Sequence, residues 1–135
     1  MTHTGLALLG FIIWTLTLLV AMAVYRTALV QTKKKATLKF ASDGSDVQGF
    51  GERLTRAQAN CSESFVFIGG TLLYSLATNN MVITDGLALI LLAARVGQSL
   101  VHLVSTSDIA IQGRFVLFLT QIGIVSFWIY RFFLV

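Results

Sequence analysis

The residues able to do chemistry crowd into one stretch, residues 52–67. Within it Arg53, Arg56, Asn60, Glu63 and Phe67 recur at i, i+3, i+7, i+10 and i+14. At helical period they share one face. Two cations, an amide and a carboxylate then form a polar stripe about four turns long. The stripe does not belong to a soluble helix, because residues 64–77 continue the same helix and are largely apolar. Polar side chains that point into a membrane interior are costly, so they face a partner, a cavity or a ligand.

A second stripe lies further along. Arg95, Gln98 and His102 stand at i, i+3 and i+7, with Arg95 near the middle of the apolar run 86–104. A lone arginine there would cost several kcal/mol. Glu63, the carboxylate at comparable depth, is its expected partner. An interhelical ion pair and a share in ligand binding are both open, and the two overlap. A third set opens the last helix: Arg114, Phe118 and Gln121 fall on one face. Arg114 either faces a site or snorkels to the interface.

The rest of the inventory is negative. No Cys, Asp or Glu lies at helical ligand spacing from His102, so no metal site is expected. Cys61, about 100° off the polar stripe, reads as a small packing residue rather than a catalytic thiol. Ala93 with Gly97, and Gly69 with Gly70, read as small-residue steps for helix packing. No phosphate loop, nucleophile triad or nucleic-acid surface is present.

Those side chains need elements to hold them. Of the 135 residues 56% are hydrophobic and only 12% charged, about half the charged share of a soluble domain. The chain reads as all-α: an integral membrane four-helix bundle in one domain, residues 1–135. The helices are expected at about 5–30, 48–78, 84–104 and 109–134. The 21-residue apolar run 5–25 is long enough to span a bilayer and lacks the basic start of a signal peptide.

Between the first two helices lies the long polar stretch, with Lys33, Lys34, Lys35 and Lys39, then Asp43 and Asp46. Residues 42–45 are turn chemistry. Ser45 with Gln48 suits a capping box for the second helix, and Thr84 with Asp85 suits the start of the third. The lysines match positive-inside topology and headgroup contact, with ligand contact by one of them as the alternative. By that rule loops one and three face the cytoplasm and both termini lie outside it. The formal charge of +4 is accounted for by the loop and the membrane.

At this point the chain resembles a known family. The run Glu52-Arg53-x-x-Arg56-Ala57-x-x-Asn60-x-x-Glu63 is similar to the second-helix signature of the MAPEG proteins, membrane-associated proteins in eicosanoid and glutathione metabolism. Chain length, four helices, the basic first loop, Arg95 and Arg114 agree with it. The resemblance implies a homotrimer of four-helix subunits with glutathione as cosubstrate, bound between subunits in the cytoplasmic half of the membrane.

It further implies that Arg56, Asn60 and Glu63 contact glutathione, that Arg114 lies near its sulfur, and that Lys33 matches a basic residue supplied by the neighbour. Arg53, Arg95, Gln98 and His102 complete the candidate binding set, and Arg114 is the candidate catalytic residue. A bacterial-type member would sit in the cell inner membrane. Glutathione carries two carboxylates, an ammonium and a thiol. Arg53 and Arg56 suit the carboxylates, Glu63 the ammonium and Asn60 a peptide group. A cation beside the thiol lowers its pKa and yields the nucleophile.

His102, Phe118 and Phe115 stand where eicosanoid-forming members carry tyrosine, tyrosine and serine, which counts against prostaglandin or leukotriene synthesis. The expected activity is a glutathione-dependent transferase or peroxidase acting on lipophilic electrophiles or lipid hydroperoxides from the bilayer. The alternatives are a non-catalytic lipid-binding or scaffold protein of the same fold, and a small drug exporter. The exporter would want a carboxylate in the first helix, where none stands.

Overall fold

The computed structural model describes residues 1–32, 39–47 and 49–135. These form four helices: α1 (His3–Gln31), α2 (Phe50–Ala77), α3 (Met81–Val104) and α4 (Asp108–Phe132). Helices α1, α3 and α4 are each long and apolar enough to cross a membrane. In α2 the first half carries Glu52, Arg53, Arg56 and Glu63, and only the second half is apolar. The bundle is that of a membrane protein: Leu6, Ile13, Leu16, Val20 and Val24 of α1 and Phe115, Val116 and Leu119 of α4 point outward. Lipid is as apolar as these side chains, so close packing and interhelical hydrogen bonds must hold the helices together.

Helix ends differ from expectation in instructive ways. The N-cap of α2 is Gly49, at φ 79, with no side-chain cap. Ser45 therefore does not cap it, and Gln48 lies outside the described residues. The third helix starts at Met81, so Thr84 is not its cap but a buried residue one turn inside. Helix α2 ends in a Schellman-type closure: Asn80 N–H donates to Ser75 O (2.9 Å) and Asn79 N–H to Leu76 O (3.3 Å). Asn79 there adopts φ 57, a left-handed conformation that asparagine tolerates. Helix α4 is capped by Ser107, whose hydroxyl accepts from Ala110 N–H at 3.3 Å.

Helix α3 is central. It packs on α1, α2 and α4, while α4 leans on α3 and touches α2 only lightly. The core joins Phe11 and Leu18 of α1, Leu54, Cys61, Ile68 and Leu72 of α2, Ala88 and Leu91 of α3, and Ile124, Val125 and Trp128 of α4. Cys61 is a buried member of it, its sulfur 3.1 Å from Thr15 Oγ1. The small-residue steps divide: a Cβ on Gly69 would lie 2.5 Å from the Phe65 ring of its own helix, and one on Gly97 would only reach Leu117 of α4 at 3.8 Å. Ala93 is exposed, and a Cβ on Gly70 would meet nothing. Between helices the tight spots are Gly10, where a Cβ would lie 2.6 Å from Leu92 of α3, and Gly51, where it would lie 2.7 Å from Tyr25 of α1.

Polar contacts then fix helix register at three levels. Near the α2–α3 turn, Thr4 Oγ1 lies 2.6 Å from Thr84 Oγ1 and Thr84 Oγ1 2.7 Å from Ser75 Oγ. Asp85 accepts both the backbone N–H and the hydroxyl of Thr4, so a carboxylate of α3 caps the positive end of α1. Mid-bundle stands Arg95. At the opposite end, Arg53 Nε donates to Leu103 O at 2.9 Å, tying α2 to the last turn of α3.

Candidate functional site

The first loop folds back along α2. Gly44 is buried at φ +75, and a Cβ there would come within 3.0 Å of both the Glu52 Cα and the Thr55 side chain. Only glycine suits that conformation and that approach. Asp46 accepts from Ala41 N–H (2.9 Å) and Asp43 from Ser45 N–H (3.0 Å), which closes the turn. Arg26 of α1 stacks over Phe40 at 4.9 Å, fastening the loop to the bundle. The Ser45 backbone N–H and hydroxyl hold the Asp43 carboxyl below the usual carboxylate range.

Folding back borders an open cavity of about 660 Å³ lined by Ser42, Asp43, Arg56, Ala59, Asn60, Glu63, His102 and Arg114. It draws on the loop, the polar face of α2, the end of α3 and the start of α4. Two guanidiniums, two carboxylates, an amide and an imidazole thus meet in one recess of ligand size. Among the described residues Arg114 Nε is buried without a hydrogen-bond partner, a donor at the cavity wall with unused capacity.

The candidate residues sort clearly. Arg56, Asn60, Glu63, His102 and Arg114 come together on the cavity wall. Arg53 does not line it, being engaged with Leu103 O. Arg95 and Gln98 are buried behind the wall. Lys33 lies outside the described residues. The expected Glu63–Arg95 pair is not formed. Glu63 is exposed, and Arg95 donates instead to Gln121 Oε1 (2.8 Å) and Asn60 Oδ1 (2.7 Å). Asn60 lies one turn earlier on the same stripe and reaches the buried arginine, which leaves the carboxylate to the recess.

Ser42 and Asp43 were not among the candidates. Their sequence signal was the turn chemistry of residues 42–45, which locates a bend but not what the bend covers. Gln121 did carry a signal, sharing a face with Arg114, but its role as the support of Arg95 appears only with the helices assembled.

The sequence model of the MAPEG family matches residues 4–134, nearly the whole chain. No curated protein and no solved structure matches it. The four-helix architecture, the apolar spans and a match over almost every residue agree, and the chain belongs to the MAPEG family of membrane proteins of eicosanoid and glutathione metabolism.

Proposed function

We propose that the chain is a membrane-embedded glutathione-dependent transferase or peroxidase whose second substrate is a lipophilic electrophile or lipid hydroperoxide. One observation carries the reading: Arg56, Asn60, Glu63, His102 and Arg114 share a single cavity with Asp43. Its groups complement glutathione. Arg56 offers a fork to a carboxylate. Glu63 and Asp43 offer partners to the ammonium, and Asn60 offers an amide to a carbonyl or carboxylate oxygen. Arg114, with an unused buried N–H, is the cation for the thiolate. Placed beside the sulfur, it favours the ionised form and stabilises charge as the nucleophile develops.

Glutathione supplies the sulfur that bonds to the electrophilic carbon, its proton leaving and the leaving group or opened ring taking the electron pair. With a hydroperoxide the sulfur takes the terminal oxygen and the alcohol departs. The apolar outer surface of α4 beyond Arg114 (Phe115, Val116, Leu119) gives a lipophilic substrate a route from the bilayer. A homotrimer, with Lys33 contributed by the neighbour, belongs to the same proposal, as does an inner-membrane location.

The test is calorimetric titration of the detergent-purified protein with glutathione, followed by conjugation and hydroperoxide-reduction assays. Saturable binding at or below millimolar concentration is expected, weakened by Arg56→Ala. No binding at millimolar glutathione would overturn the reading.

A further inference from the structure

Most polar side chains in this bundle can donate or accept. A guanidinium can only donate. Arg95 is fully buried, at 0% exposure, so its neighbours must adapt to it. Its Nη1 donates to Asn60 Oδ1 at 2.7 Å and its Nε to Gln121 Oε1 at 2.8 Å. Both amides are therefore forced to turn their oxygens towards the arginine, and their NH2 groups point away.

For Gln121 the outcome is closed within the chain. Its Nε2 donates to Gln98 Oε1 and to Leu117 O, each at 2.9 Å, and the residue is itself fully buried. That second anchor holds the guanidinium plane in place. For Asn60 the outcome is open. Asn60 lines the cavity, and among the described residues its Nδ2 has no acceptor. An unsupported asparagine can flip its amide and present either an oxygen or an NH2. This one is locked.

We propose that Arg95 is a positioning residue that fixes Asn60 as a hydrogen-bond donor towards the cavity, so that this part of the wall selects a carbonyl or carboxylate oxygen and rejects an ammonium. Among the described residues the cation has no carboxylate partner of its own, and its Nη2 is buried without an acceptor. Its uncompensated charge therefore polarises the Asn60 amide and strengthens its N–H groups as donors. The rule also divides the cavity. An ammonium is directed to Glu63 and Asp43, an acceptor oxygen to Asn60. The choice of glutathione as probe rests on the proposed function; the clamp itself does not.

Two variants test it. Asn60→Asp keeps an acceptor for Arg95 and adds a full ion pair, but has no N–H to offer the cavity. It should melt in detergent no lower than the wild type, yet bind glutathione at least roughly tenfold more weakly, the loss of one hydrogen bond to a charged or carbonyl oxygen. Added salt should not restore binding, because a missing donor is not screened whereas simple charge repulsion is.

The double variant Asn60→Leu with Arg95→Met removes donor and cation together without adding charge, and should bind at least as weakly as Asn60→Asp. Binding by either variant within about twofold of the wild type would overturn the donor assignment. Melting of Asn60→Asp well below the wild type would overturn the clamp. A wild type that does not bind glutathione would instead fault the functional reading, and the melting comparison would still judge the Arg95–Asn60 contact.

Discussion

Gln121→Leu is the sharpest probe of how the bundle holds its central cation. The glutamine is fully buried and makes three hydrogen bonds: it accepts from Arg95 and donates to Gln98 Oε1 and Leu117 O. Leucine fills similar space and makes none of them. The bond to the guanidinium is the expensive one, since a hydrogen bond to a charged group contributes about 1.5–3 kcal/mol. In membrane bundles, neutral interhelical bonds average only about 0.6 kcal/mol. Among the described residues Arg95 Nη2 already lacks a partner, so a second orphaned N–H leaves the cation held by Asn60 alone.

The sum is a destabilisation of about 3–4 kcal/mol. Equilibrium unfolding in mixed micelles, followed by circular dichroism, measures it. In the double variant with Arg95→Leu the unpaired cation is gone, so the two losses should fall short of additivity by about 1–2 kcal/mol. Strict additivity, or a single-variant loss below about 0.5 kcal/mol, would refute Gln121 as the support of Arg95.

Further outcomes follow from the same geometry. Glu63→Gln should leave the melting temperature nearly unchanged, because the carboxylate is exposed and does not neutralise Arg95, yet it should weaken glutathione binding; a large drop in melting would restore the ion pair. Arg114→Ala should retain binding but lose the ultraviolet absorbance of bound thiolate near neutral pH, with partial rescue by Arg114→Lys; unchanged absorbance and turnover would make Arg114 an anchor only.

Asp43 has its carboxyl lowered by Ser45, so the stabilisation is present above the ordinary carboxylate value of about 3.9 and is lost as pH falls through the lower folded value. The Ser45 amide resonance should therefore titrate with a midpoint below about 3.9, and a midpoint above it would refute the contact. Ser42 lies in the loop before the 28-residue α2 and Asn79 in the turn after it, so cysteines placed there should label from opposite sides of the membrane; labelling from one side would refute the topology.

The polar face of α2 was legible because helical period alone brings Arg56, Asn60 and Glu63 together, whatever packs against them. The partner of Arg95 was not. Composition favours a carboxylate for a buried guanidinium, and Glu63 was the one at matching depth. Asn60 and Glu63 sit three residues apart on one stripe, and which of them meets α3 depends on the rotation and depth of α2 against its neighbours. Periodicity does not encode that. The loop was illegible for a related reason. Residues 42–45 announce a turn, but the approach of Gly44 to Glu52 and Thr55 is a tertiary contact, and it is what brings Asp43 to the cavity. Thr84 and Asp85 looked like local capping chemistry and serve another helix instead.

The bundle's polarity has two opposite sources, and together they explain why its amides and hydroxyls need no alternative arrangements. Near the α2–α3 turn the fixed group is an acceptor. Asp85 takes the Thr4 hydroxyl proton, so Thr4 must accept from Thr84 and Thr84 from Ser75; the chain of hydroxyls runs in one direction. Mid-bundle the fixed group is a donor. Arg95 orients Gln121 and Asn60 by the same logic reversed. In a bilayer, where burial of apolar surface does not discriminate between helix registers, such one-way networks do. Sliding α3 by one turn against its neighbours would break both at once. That shared register sets His102 at the end of α3 and Arg114 at the start of α4 beside the polar face of α2, so the groups that assemble the cavity are aligned by one polar network at the far end of the bundle and by another directly behind the cavity wall.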